Sequence, residues 1–137
     1  MVIVDDHLGL LAIAGRLPGL SASGPVVTTW GFHFRMSRAV LDSARSGSLA
    51  RRVADVSGVG RRVLHPPVNR LIVLDPRVSA DQSVRIAVEH GVNLLLAEVV
   101  GAAAHHGAAV RVTSANVGRS WPAVMGAEGI DFAALNL

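Results

Sequence analysis

The chain of 137 residues has no cysteine, no lysine and no tyrosine. Without cysteine there can be no disulfide framework and no thiolate metal site, so a reducing, cytoplasmic setting is the expectation. Aromatic residues amount to 4% of a composition that is 50% apolar. The core must therefore be aliphatic, built from Val, Leu, Ile and Ala. No apolar run reaches the roughly 18 residues that a membrane helix needs. The longest, around residues 8–14 and 94–104, are interrupted or carry Glu98. Neither the basic region nor the cleavage site of a secretory signal stands at the start.

The missing lysines also govern how the charge is read. Net charge is only +3, yet the sequence pI is about 11.3. With no Lys, Tyr or Cys, little titrates between the His range and Arg. The high pI thus reflects an absence and not a strongly basic protein. All 13 basic residues are Arg. A GC-rich codon preference accounts for Arg in place of Lys, although the planar guanidinium fork also suits phosphate.

What is present is an α/β pattern. Val2-Ile3-Val4 is short, β-branched and continuous, as buried parallel strands are. Asp5 and Asp6 follow it, and Asp6 is expected to cap a helix from His7 to about Arg16, closed by Pro18-Gly19. Val26–Thr29 is a second strand. Helical spacing then runs from Trp30 to about Ser46, offering Phe34, Ala39, Val40 and Leu41 for packing. A short helix is expected at 48–53, and a breaker at Ser57-Gly58-Val59-Gly60. Arg70–Leu74 is a third strand, and Ser79-Ala-Asp-Gln82 has the form of a capping box opening a helix to His90, with Gly91 after it. A strongly apolar helix from Leu94 to His106, a strand at Ala108–Thr113, a short helix at Ser120–Ala127 and an edge strand at Gly129–Ala133 complete the chain. Strands alternating with helices predict a single domain, residues 1–137, with a parallel sheet of about five strands between helical layers.

Carboxylates at the carboxyl ends of parallel strands are placed where ligands and catalytic groups gather. Oxygen ligands of this kind suit Mg²⁺ or Mn²⁺, which activate water and neutralise charge on a phosphodiester. Asp5 and Asp6 are the first candidates and Glu98, an acid inside an apolar helix, the next. The structural alternatives are an acceptor at a strand end for Asp5, a helix cap for Asp6, and an ion pair with a neighbouring Arg for Glu98. His105-His106 fits a helix C-terminus better than a metal site, since adjacent helical residues do not converge on one ion. Gly58, Gly60, Arg61 and Arg62 lack the lysine and spacing of a phosphate-binding loop.

The order of segments resembles the PIN-domain family, which includes the VapC-type toxin ribonucleases of toxin–antitoxin pairs. The residues that carry the resemblance are Val-Ile-Val-Asp5, Val27-Thr-Thr with the helix after it, Leu71-Ile-Val-Leu-Asp75-Pro, and Gly91 to Glu98 leading through Ala104 to the strand 109–113. The resemblance implies a Mg²⁺- or Mn²⁺-dependent ribonuclease centre, RNA as substrate, an antitoxin protein as partner, and a homodimer. It places Asp5 and Glu98 as catalytic acids and Asp5, Glu98 and Asn116 as metal ligands. Asp6, His33, Arg35, Arg38 and Thr113 are the expected neighbours. The family's second acid, a Glu in the helix after the Thr pair, is missing from Trp30–Arg38. Thr113-Ser-Ala115-Asn116 stands where the fourth acid belongs. Two acids with Arg35, Arg38 or His33 nearby can neutralise one another without a metal. The resemblance therefore carries two expectations: a ribonuclease of weakened or lost activity, and an inactive PIN-like module that binds protein or nucleic acid.

Overall fold

A computed structural model describes residues 1–17, 19–20, 24–42, 49, 51 and 59–137. Five strands form one sheet, β1 (Val2–Val4), β2 (Val26–Thr28), β3 (Ile72–Val73), β4 (Ala109–Thr113) and β5 (Phe132–Leu135), in the order β3-β2-β1-β4-β5. Every pairing is parallel, with Val2 opposite Val26 on one side and Ala109 on the other. Among the described residues six α-helices flank the sheet: α1 (Asp6–Ile13), α2 (Trp30–Leu41), α3 (Gly60–Leu64), α4 (Ala80–His90), α5 (Leu94–His106) and α6 (Trp121–Ala127). The three-layer α/β expectation is met. None of these helices is long and apolar enough to cross a membrane.

The pleat of β1 explains the layers. Successive side chains point to opposite faces. Ile3 joins one core with Val27, Val110, Phe32, Ile86 and the apolar face of α5. Val2 and Val4 join a second core with Leu8, Leu10, Ile13, Met36, Val63 and Leu71. A strand buried on both sides must be apolar at every position, as Val2-Ile3-Val4 is. Helix α2 contributes to both cores, Phe32 to the first and Met36 to the second.

Several local expectations change. Asp5, not Asp6, is the N-cap of α1: its Oδ1 accepts from the Leu8 amide at 3.0 Å, and Asp6 is the first helical residue. Helix α1 stops at Ile13, before Gly15 takes a left-handed φ of 71°. Phe34 and Leu41 face solvent, and α2 packs through Phe32 and Met36. The expected helix at 48–53 lies largely outside the described residues. Gly60, expected as a breaker, opens α3. The third strand is only Ile72–Val73, and the fifth is shifted to Phe132–Leu135. Ser79 precedes α4 but makes no capping bond. Helices α1 and α5 bury most of their apolar residues inside the two cores.

Helices α4 and α5 approach closely at Gly101. A Cβ there would stand 2.6 Å from the Ser83 amide nitrogen and 2.7 Å from Ser83 Cα, so only glycine allows this packing distance.

Candidate functional site

Parallel pairing sends all five carboxyl ends to one edge. After β1 the chain moves outward through β2 and β3, then returns to place β4 on the other side of β1. The sheet reverses its direction of growth between β1 and β4, the switch point at whose carboxyl edge ligands gather in open α/β sheets. Asp5 ends β1, Thr113 ends β4, and a 3₁₀ turn from Ser114 to Asn116 follows immediately.

Asp5 is fully buried and accepts four hydrogen bonds. Besides the Leu8 amide on Oδ1, its Oδ2 receives the Thr113 amide at 2.7 Å, the Thr113 hydroxyl at 2.6 Å and the Asn116 side-chain amide at 2.6 Å. The same Asn116 Nδ2 donates to Asp6 Oδ1 at 2.6 Å. Both protons of one amide are thus directed at two buried carboxylates. Asn116 Oδ1 accepts from Arg35 Nη2 at 3.2 Å, which fixes the orientation of the amide: nitrogen toward the acids, oxygen toward the cation.

Asp6 is also fully buried. Arg35 Nε lies 2.9 Å from Asp6 Oδ2, but its N–H is not aimed along that line, so the contact is ionic and Oδ2 receives no directed hydrogen bond. Burial raises the Asp6 carboxyl above the usual carboxylate range. The Arg35 charge opposes that shift, the neighbouring Asp5 charge adds to it, and the Asn116 hydrogen bond and His7 pull it back. Arg35 also lies over the Phe32 ring, 5.8 Å from its centroid.

Glu98 does different work. Its Oε1 accepts from the Trp30 amide at 3.1 Å and its Oε2 from the Gly31 amide at 3.0 Å. The carboxylate caps the first turn of α2, where Thr29 makes no capping bond and no acid is present in the sequence. Gly31 is required for that approach, because a Cβ there would stand 2.7 Å from Glu98 Oε2. Burial raises the Glu98 carboxyl, against the lowering effect of the Gly31 and Trp30 amides.

The structure therefore brings together Asp5, Asp6, Arg35, Thr113 and Asn116. No hydrogen bond or ion pair links Glu98 to either aspartate. The His33 ring turns elsewhere, with Nε2 2.7 Å from the Val63 carbonyl. Arg38 is exposed and has no acid within ion-pair distance among the described residues. Asp5, Asp6 and Glu98 are not a three-ligand set: among the described residues, the group with ligand atoms all within 4.8 Å of one another is Glu89, His90 and Glu128. In that group Arg85 already offsets one of the two carboxylate charges, gripping Glu128 through Nη1 at 3.0 Å and Nη2 at 2.9 Å and reaching Glu89 at 2.8 Å.

A divalent cation does not fit the Asp5–Asp6 arrangement. Mg²⁺ requires six oxygen ligands. Here the carboxylates face N–H and O–H donors, and the position between them is held by the Asn116 amide nitrogen. Beside this centre lies a groove of about 480 Å³ between α2, α4 and α5, walled by Trp30, Val84, Leu94 and Leu95, with Arg35 and Glu98 among its few polar groups. Trp30 stacks on Phe34 at 5.3 Å between ring centroids, and both are about half exposed.

The capping role of Glu98 left one sequence signal, a helix start with no acid in its first turn; the failure of Thr29 to cap it is visible only in the structure. The donor role of Asn116 left none, because one residue in a turn does not disclose which end of its amide faces inward. No protein-family model matches the chain, and no curated protein is matched by it.

Proposed function

We propose that this chain is a cytoplasmic PIN-like module whose hydrolytic centre is closed by its own side chains, and that it works by binding instead of cleavage. The observation that carries this is the Asn116 amide nitrogen, 2.6 Å from both Asp5 Oδ2 and Asp6 Oδ1. A cation recruited to polarise a phosphodiester or activate water would have to displace that amide and the Arg35 guanidinium. With Glu98 committed to capping α2, too few free carboxylate oxygens remain to compensate. The groove beside the centre supports a protein partner, of the kind an antitoxin supplies, because concave apolar surface with a few polar groups favours association.

The test is calorimetric titration of the purified chain with Mn²⁺, alongside incubation with single-stranded RNA across a Mg²⁺ and Mn²⁺ series. Absence of stoichiometric metal binding and intact RNA are expected. Binding of Mn²⁺ that disappears in Asp5→Asn would overturn the proposal. It would support the second reading, a metal-dependent endoribonuclease, which the placement of two buried aspartates at the sheet's switch point favours.

A further inference from the structure

Exposed apolar residues gather around the groove. Trp30, Phe34 and Leu41 on α2, Val84 and Val88 on α4, and Leu94 at the start of α5 are each between 50% and 79% exposed. Exposed apolar side chains scattered singly are ordinary, whereas neighbouring ones mark an interaction surface. These are neighbours. Trp30, Val84 and Leu94 wall the groove, and Trp30 stacks on Phe34. Leu41 follows Trp30 by about three full turns and Val88 follows Val84 by about one, so each extends its own stripe. Charge divides the face into two walls. Helix α2 contains no acid, and Arg38, one turn after Phe34, is exposed on the same stripe with no ion pair. Other exposed arginines also lack ion pairs; Arg38 is set apart by the apolar stripe it shares. On α4, Asp81 stands three residues before Val84 and has no ion pair among the described residues, while Arg85 turns to Glu89 and Glu128. Between the walls Arg35 and Glu98 are already engaged, by Asp6 and by the α2 amides.

We propose that this face binds a second copy of itself, with α2 of each copy lying against α4 of the other about a two-fold axis. A two-fold contact needs one surface that carries both complementary halves. Here one half is apolar and basic, the other apolar and acidic. Packing α2 on α2 would bring two Arg38 side chains together with no acid on either helix, whereas packing α2 on α4 joins unlike charges. The register also fits. Both helices leave the carboxyl edge, after β2 and β3, and run back along parallel strands, so they share a direction. A two-fold axis perpendicular to them sets α2 antiparallel to α4 of the second copy. Trp30 then meets the end of that helix at Val88, and Arg38 and Leu41 meet its start at Asp81 and Val84. This deepens the reading of the groove as a protein-binding surface by naming its occupant, and it asks nothing of the acidic centre. A second copy seated there closes the groove beside Arg35, so self-association and capture of another protein exclude one another.

The experiment is sedimentation velocity of the full chain across about 1–100 μM, where a micromolar dimer dissociates. The parent should be a dimer at the upper end. Arg38→Glu makes both walls acidic and Asp81→Arg makes both basic, so each variant alone should associate about tenfold more weakly. An equal mixture of the two should regain the dimer, because each copy then offers the other a wall of opposite charge. The double variant Arg38→Glu/Asp81→Arg should regain it as well. Val84→Asp should abolish the dimer, and Val68→Asp, at an exposed valine on a different cavity, should not. Unaltered far-UV circular dichroism confirms that the variants are folded. A parent that is monomeric throughout, a dimer that survives Val84→Asp, or single variants that stay apart when mixed would each overturn the proposal. So would equal loss in Val68→Asp. Mn²⁺ titration of the Val84→Asp chain reads the acidic centre separately, so failure of the dimer and failure of the closed-centre reading are distinguishable.

Discussion

Replacing Asn116 with aspartate turns the donor between two buried carboxylates into a third acid. Two charge-assisted hydrogen bonds are lost, each worth about 1.5–3 kcal/mol, so the deletion alone costs about 3–6 kcal/mol. Repulsion among three carboxylates adds to it, with Arg35 as the ion-paired counter-charge. A domain of this kind has about 5–15 kcal/mol of stability to lose, so the Asn116→Asp chain should be marginal at pH 7 in EDTA. The sign of its pH dependence follows from crowding. Like charges hold the folded-state carboxyls above their unfolded values, so the destabilisation is complete at neutral pH and relieved as pH falls through the raised titrations. A divalent cation should relieve it too. At a Mn²⁺ concentration 100-fold above its Kd, binding restores about 2.7 kcal/mol. Urea denaturation at pH 5 and pH 8, with EDTA or Mn²⁺, measures both effects. An Asn116→Asp variant as stable as the parent in EDTA would refute the role assigned to the amide. A parent chain stabilised by Mn²⁺ as strongly as the variant would show that the centre already accepts a metal.

Three further outcomes follow from contacts described above. Glu98→Ala leaves the Trp30 and Gly31 amides uncapped and should cost about 1–2 kcal/mol, read as faster hydrogen exchange confined to the first turn of α2; uniform exchange changes would argue against a capping role. Glu128 is held down to about 2, chiefly by Arg85 and then by His90. Its contribution is present above about 4.5 and lost as pH falls toward 2, so Glu128→Gln should be less stable than the parent at pH 6 and converge with it near pH 2 in acid denaturation. Gly101→Ala forces a methyl against the Ser83 backbone and should lower stability by about 1–3 kcal/mol in urea melts, whereas Gly126→Ala, with open space at its Cβ, should not.

Much of the fold was legible because period and punctuation agreed. The continuous apolar run before Asp5 and the Gly91 and Gly107 stops, both left-handed at φ 62°, mark elements whose local signals match their tertiary use. Helix α2 was misjudged where those signals separate. Its exposed face carries Trp30, Phe34 and Leu41, and hydrophobicity alone does not distinguish a surface aromatic from a core one. The candidate site was legible as a set of residues, since Asp5, Asp6, Arg35, Thr113 and Asn116 do converge. It was not legible as a network. Which aspartate caps α1 turns on one residue of helix phase. Whether Glu98 serves the crevice or a helix end depends on a contact 67 residues away in the chain.

The bond between the Thr113 amide and Asp5 spans 108 residues. Central strand β1 is synthesised well before its β4 neighbour and before Thr113 and Asn116, the partners that bury its terminal charge. Until then β1 offers an unpaired edge and an unsatisfied carboxylate. Assembly of the right half of the sheet is thus postponed until most of the chain has left the ribosome. A truncation before Thr113 should leave a species prone to self-association, not a smaller folded unit.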